Sequence, residues 1–215
     1  MEQNLVIRQE RESDYARVEQ VIRQAFYNIY TPGCTEHYLA HVIRPHPDFL
    51  PELDLVLELD GQVIGSIMYT RSTLVDEAGA EKGILTFGPV CIQPGYQRRG
   101  LGRRLMEESF RRAAAMGWEA IVIFGDPNNY VGCGFQSCKK HRVHLADGTY
   151  PAAMLVKELK PDALAGKSWA YRQSPAFDFD EEAARRFDDA LEPMEKKRLP
   201  CQEAFEIISQ AILPE

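Results

Sequence analysis

Two periods govern where the hydrophobic side chains fall. LDLVLEL puts leucine at every second position, Leu53, Leu55, Leu57 and Leu59, with Asp54, Val56 and Glu58 between them. That alternation predicts a strand. Asp60-Gly61 then suits a two-residue turn with positive φ, and a return strand runs from Val63 to about Val75. The polar DEAGAEKG leads into GILTFGPVCI, so three neighbouring antiparallel strands are expected. Leu5, Val6 and Ile7 make a short first strand. Tyr15, Val18, Val21, Ile22, Ala25 and Phe26 recur at helical spacing behind a cap at Ser13 or Asp14. The stretch from Thr31 to Pro51 is rich in proline and histidine, with one short helix near His37 to Val42. A longer helix covers Leu101 to Met116. Gly102, Leu105, Met106, Ser109, Phe110 and Ala113 form its apolar stripe, and Gly117 ends it. AIVIF, Ala120 to Phe124, is apolar at every position, as befits a strand covered on both faces beside a parallel neighbour. Two further strands are expected over Phe135 to Leu145 and Ala152 to Leu159.

Pro161 marks a change of character. Beyond it lie an aromatic patch (Trp169, Tyr171, Phe177, Phe179), a charged helix from about Glu181 and a last helix after Pro200. Cys201, Ala204, Phe205, Ile208 and Ile212 give that last helix one apolar face, to be packed on the parent domain or used in a homodimer contact. Trp169 and Tyr171 are expected in core or interface packing. The class is α/β (α+β): a mixed, mostly antiparallel sheet of six to seven strands flanked by helices, with a C-terminal extension.

Composition narrows the function. The 215 residues are 45% apolar and 27% charged, as in soluble globular proteins. A net charge of -7 excludes the broad basic face of a general nucleic-acid binder. No apolar run approaches the ~18 residues of a membrane span, and MEQNLVIRQERESD has no signal-peptide core. Five scattered cysteines read as reduced thiols, which points to the cytoplasm. His37 and His41 stand four apart, but Tyr38 rather than glutamate follows His37, so the metalloprotease pattern fails and surface histidines are expected. Cys133, Cys138, His141 and His144 are too closely spaced for a zinc finger, and no metal is expected.

Against this acidic background, QPGYQRRGLGRRL (Gln93 to Leu105) gathers four arginines and three glycines. A strand ends at Ile92, Pro94-Gly95 turns the chain, and a helix starts near Gly100. Unpaired N–H groups and the partial positive charge of a helix start, with Arg98, Arg99, Arg103 and Arg104 around them, make a phosphate-binding turn. The nucleoside-triphosphate loop is absent. The dinucleotide pattern is half met, because Leu105 stands where its third glycine belongs.

The hexapeptide Gln97-Arg98-Arg99-Gly100-Leu101-Gly102 matches [QR]-x-x-G-x-[GA], the coenzyme-turn signature of the GCN5-related N-acetyltransferases (GNAT). Tyr130, four residues before Gly134-Phe135, matches a second family position. The chain resembles that family over roughly residues 4 to 159. The resemblance implies a GNAT-like acetyltransferase domain in residues 1–160, residues 161–215 being the extension. It also implies an acetyl-CoA site. The strand before the turn parts from its parallel neighbour, and pantetheine pairs with backbone at Val90, Cys91 and Ile92. Pyrophosphate lies on the amides of Arg98 to Gly102, with Arg103 and Asn128 as further contacts. Pro89, which donates no N–H, independently suits a bulge in that strand. Acetyl-CoA is expected as co-substrate and a small-molecule or peptide amine as acceptor, with no nucleic acid and no membrane.

Acetyl transfer to an amine needs an oxyanion donor, for which an N–H near Val90 to Ile92 would serve, and a proton for the departing thiolate. A tyrosine stays neutral at pH 7 and can protonate a thiolate, which makes Tyr130 the candidate acid. Glu36, Glu58, Glu81, a water chain or a histidine of residues 37 to 46 are open as the base. Cys91 is a nucleophile or a small packing residue. The functions compatible with this reading are an N-acetyltransferase using direct attack in a ternary complex, a non-catalytic acyl-CoA-binding sensor on the same fold, and a nucleotide-binding enzyme of another fold.

Overall fold

The computed structural model describes residues 4–214; Met1, Glu2 and Gln3 of the charged N-terminal stretch, and Glu215, lie outside the described residues. In chain order the elements are β1 (Leu5–Gln9), α1 (Tyr15–Phe26), α2 (Glu36–Ile43), β2 (Leu55–Leu59), β3 (Gln62–Asp76), β4 (Glu81–Ile92), α3 (Leu101–Ala115), β5 (Ala120–Phe124), α4 (Pro127–Tyr130), β6 (Gln136–Ser137), β7 (Val143–His144), β8 (Met154–Glu158), β9 (Trp169–Arg172), α5 (Glu181–Asp189) and α6 (Pro200–Gln210). The sheet runs β1-β2-β3-β4-β5-β8-β6, with β9 on β3 and β7 on β9. β4–β5 and β7–β9 pair in parallel, and the other ladders are antiparallel.

The leucine alternation of β2 is real, yet Val56 between the leucines is also buried, because both faces of the sheet are covered. Leu55 and Leu57 pack with Leu105, Met106 and Phe110 of α3, while Val56 faces Val18, Val21 and Ile22 of α1 and Ile43 of α2. Asp60 and Gly61 hold φ of 50° and 83°, the two left-handed residues of the tight turn into β3.

β3 is long enough to be shared. β2 covers its first half, and β9 pairs with Thr73 to Asp76 at the far end. The segment beyond Pro161 therefore supplies a strand to the sheet itself. Trp169 and Tyr171 are core residues: the Trp169 indole donates to the Leu164 carbonyl (3.0 Å), and the Tyr171 hydroxyl lies 2.7 Å from Thr86 Oγ1.

Two expectations change. The strand expected over Phe135 to Leu145 is broken. A 3-10 turn at Cys138–His141 and a left-handed Arg142 (φ 53°) carry the chain from β8, the partner of β6, to β9, the partner of β7. The apolar face of α6 is only partly covered. Gln202 is its buried residue, Phe205 and Ile208 are half-buried, and Cys201 and Ala204 are exposed. Among the described residues no helix is long and apolar enough to cross a membrane.

Candidate active site

The site begins where two parallel strands stop pairing. β4 and β5 meet at Leu85 and Ile121, and beyond that register the strands part. On the other edge of β4 the register with β3 shifts between Ile67 and Tyr69. Gly88 and Pro89 stand opposite the single residue Met68, a bulge at the proline that has no N–H to give. Past the bulge Val90, Cys91 and Ile92 stay paired to Ile67, Ser66 and Gly65. Phe87 fills the base of the gap, its ring 5.3 Å from that of Tyr69 and 5.9 Å from those of Tyr130 and Phe135.

Above Phe87 the gap widens into a cleft of about 520 Å³. Its walls are the free edge of β4, the turn into α3, the end of α1 with Phe26, Ile29 and Tyr30, and the α4 segment with Asn129 and Tyr130. The turn is tied to the strand by the Gln97 side-chain amide, which donates to the Ile92 carbonyl (2.9 Å). Gly100 caps α3 with φ 77°, a conformation that disfavours side chains, and the first helical bond runs from Arg104 N–H to the Gly100 carbonyl (3.0 Å). The N–H groups of Arg98 to Arg103 find no main-chain acceptor among the described residues. A Cβ at Gly102 would touch Ile92 Cγ1 at only an ordinary 3.6 Å, so the fold itself does not demand glycine there. Free amides, a helix start and uncovered backbone on one wall fit a phosphate group.

Val90, Cys91, Ile92, Gln97, Arg98, Gly100, Gly102, Arg103 and Tyr130 all line this one cleft. The side chains of three other expected residues point elsewhere, while the main-chain amides of Arg99 and Leu101 stay in the turn: Arg99 lies over the Tyr96 ring (5.7 Å), Leu101 packs against the core, and Asn128 gives both its main-chain and side-chain N–H to Asp126 Oδ1 (2.9 Å each). The neighbouring Asn129 faces the cleft instead.

Tyr130 is held by its surroundings. A Cβ on Gly125 would come within 2.5 Å of its Cε2, so the absence of a side chain at 125 makes room for the ring. Burial, then the charges of Tyr30 and Asp126, push its phenol above the ordinary tyrosine value, so it keeps its proton. Tyr30 is raised to about 12 by burial and by the carboxylates of Glu36 and Asp126. Burial lifts the Cys91 thiol to about 11, with Ser66 Oγ 3.5 Å from its sulfur. Cys91 is thus a protonated packing residue rather than a nucleophile.

The candidate bases disperse. Glu58 pairs with Arg8 (2.7 Å), and Glu81 pairs with Arg172 (2.8 Å) at the opposite end of β4 from the cleft. His41 lies beside Glu19 and His46 near Asp48. His37 is fully buried, correcting the surface expectation. One ring nitrogen is 3.4 Å from Cys34 Sγ and the other 3.4 Å from Asp188 Oδ1, and burial lowers its pKa to about 4. Glu36 remains. It accepts the Thr35 N–H (3.0 Å), and burial raises its carboxyl. Tyr30, Phe26 and Ile29 were not read as site residues. The aromatic run FYNIY at and beyond the end of α1 was their signal, but periodicity assigned Phe26 to the helix face and singled out neither Ile29 nor Tyr30.

Residues 18–135 match the model of the acetyltransferase (GNAT) family. The chain belongs to that family. Among GNAT relatives, YhbS of Escherichia coli K12, an uncharacterized N-acetyltransferase, is 29% identical over 163 residues, covering 75% of this chain and 92% of its own. YjhQ of the same organism, also uncharacterized, is 28% identical over 108 residues. The chain spans 56% of that relative's length, and the match takes in 50% of this chain. The crystal structure of the E. coli YhbS GNAT protein in complex with CoA superposes with a TM-score of 0.71 at 26% identity, over 83% of this chain and 94% of that one. A GNAT acetyltransferase from Brucella melitensis in complex with acetyl-CoA gives 0.64 at 27% identity, over 81% and 98%.

Proposed function

We propose that this protein is an acetyl-CoA-dependent N-acetyltransferase that moves an acetyl group to a primary amine by direct attack within a ternary complex. The observation that carries the reading is the convergence of three features on one cleft: the free amides at the start of α3, the unpaired edge of β4, and Tyr130. Structural relatives hold CoA or acetyl-CoA. The coenzyme supplies the acetyl group as a thioester.

The amides of Arg98 to Gly102 hold the pyrophosphate, with Arg98 and Arg103 adding charge at the mouth. The β4 backbone from Val90 to Ile92 pairs with the pantetheine arm and offers an N–H to the carbonyl oxygen as negative charge develops there. Tyr130 gives its proton to the sulfur as the C–S bond breaks. Because its phenol is held above the usual value, it is protonated throughout the physiological range. Of the candidate bases, Glu36, whose carboxyl burial raises, is the one we assign to take the proton that the amine must lose.

The test is isothermal titration with CoA joined to a thiol-release assay over an amine panel. CoA binding, with turnover that collapses in Tyr130→Phe while CoA affinity holds, is expected. No heat with CoA would end the proposal. Heat without turnover on any amine would favour a binding protein on the same fold.

A further inference from the structure

The cleft and a second cavity share one side chain. Behind Tyr30, between the loop after α1 and the C-terminal arm, lies a space of about 430 Å³, and Tyr30 lines both. Its ring is held from two sides. Phe26, which faces the cleft, lies 5.8 Å away between centroids, and Phe205, which faces the second cavity, lies 4.3 Å away. Tyr30 is thus a partition between two spaces, each within the roughly 300–1,000 Å³ of small-molecule pockets.

The arm braces the partition. Gln202, one turn before Phe205 on α6, donates its side-chain amide to the carbonyls of Asn28 (3.0 Å) and Lys197 (2.9 Å). Asn28, two residues before Tyr30, gives its side-chain N–H to the Glu195 carbonyl (2.9 Å) and accepts the Lys197 N–H on Oδ1 (2.9 Å). Phe205 is therefore fixed relative to the loop that carries Tyr30, and its ring occupies the space into which the Tyr30 ring would have to turn. The arm lies outside residues 18–135 that match the family, so the family pattern does not account for this brace.

Placement in the cleft decides which part of the donor meets the partition. On the reading above, pyrophosphate takes the amides at the start of α3 and pantetheine the β4 edge, so the thioester comes to Tyr130. The wall left for the group beyond the sulfur is the end of α1, where Phe26, Ile29 and Tyr30 face the cleft. None of the three carries a formal charge, and their surface suits an alkyl chain better than a charged group.

Resting on the acetyltransferase reading, we infer that Tyr30 sets the length of the acyl group that the protein accepts. With the ring in place the donor is acetyl-CoA. The space a longer chain needs exists in the fold, but it lies behind Tyr30 and is closed off by it. Apolar pockets discriminate by roughly 10- to 200-fold for one methylene, so a single ring is enough to separate acetyl from a six-carbon chain.

Calorimetry on the full chain with CoA, acetyl-CoA and hexanoyl-CoA reads this without any amine acceptor. The wild type should bind hexanoyl-CoA at least tenfold more weakly than acetyl-CoA. In Tyr30→Ala the two spaces join, and the ratio of hexanoyl-CoA to acetyl-CoA affinity should rise at least tenfold. Tyr30→Phe keeps the ring and should keep the wild-type ratio. Phe205→Ala removes the brace and should raise the ratio by a smaller factor. Tyr30→Val replaces Tyr30→Ala if circular dichroism shows that variant unfolded. Hexanoyl-CoA bound as tightly as acetyl-CoA by the wild type, a ratio unmoved in Tyr30→Ala, or a ratio that moves as far in Tyr30→Phe overturns the partition and leaves the acetyltransferase reading intact. No heat with CoA itself overturns the acetyltransferase reading, and the partition with it.

Discussion

The two walls of the cleft are made in different ways. On the α3 side, strand, turn and helix start are consecutive, and the groups that matter are main-chain N–H and C=O exposed by local geometry: a bulge at Pro89, a left-handed Gly100, the first turn of α3. On the Tyr30 side, residues 165 or more positions apart are brought together, and side chains do the work. Tyr30 meets Phe205, Asn28 holds Glu195 and Lys197, and Arg23 holds Asp188. A wall made of backbone tolerates great change in side chains as long as the turn survives. A wall made of side chains can be rewritten residue by residue.

The sharpest way to break the second wall is at its anchor. Arg23 Nε donates to Asp188 Oδ1 at 2.7 Å, and both side chains are buried. Asp188→Ala leaves the guanidinium buried without its anion and should cost about 3–5 kcal/mol in denaturant unfolding. Phe205 and Tyr30 should separate before the sheet melts, seen as early loss of their near-ultraviolet dichroism. The first wall should break by a smaller, local change. Gly102→Ala is compatible with the fold but puts a methyl before the free amides, so CoA should bind about tenfold more weakly, ~1.4 kcal/mol, at near wild-type stability.

Tyr130→Phe removes one proton donor and nothing of the packing. A fall in kcat of ten- to a hundredfold is expected, about 1.4–2.7 kcal/mol, with the KM for acetyl-CoA unchanged. Gly125→Ala tests the same ring from behind. Its Cβ displaces Tyr130, and kcat should drop with a stability loss of about 1–3 kcal/mol, whereas Tyr130→Phe leaves stability alone.

A last effect concerns pH and the anchor again. His37 is buried in its neutral form, its pKa lowered to about 4 by burial, with Asp188 opposing that shift and Arg23 adding to it. Below its unfolded value near 6.5 the unfolded chain binds this proton and the folded chain does not. Stability is therefore independent of His37 above about pH 6.5 and is lost as pH falls from there towards 4. One proton bounds the slope at about 1.4 kcal/mol per pH unit. Urea midpoints measured across that window should fall less steeply in His37→Gln, and an identical slope would show that another group titrates.

Sequence reading succeeded where cause and consequence are neighbours in the chain. The leucine alternation gave β2, the stripe on α3 gave its buried face, and Pro89 announced a bulge before any partner strand was known. It failed where the consequence depends on a distant partner. The expected strand over 135 to 145 breaks because β6 and β7 have different neighbours in the sheet. His37 looked like a surface residue until α5 closed over it.

What the sequence by itself determined, then, is the α3 side: a turn whose free amides follow from glycine, proline and helix start. Those features depend on local backbone geometry, which a few adjacent residues dictate. Only the tertiary structure decided the Tyr30 side, because the contact between Tyr30 and Phe205 exists only once the loop after α1 and the C-terminal arm are packed together. Nothing in the spacing of those residues along the chain encodes their approach; burial of the surfaces around them does.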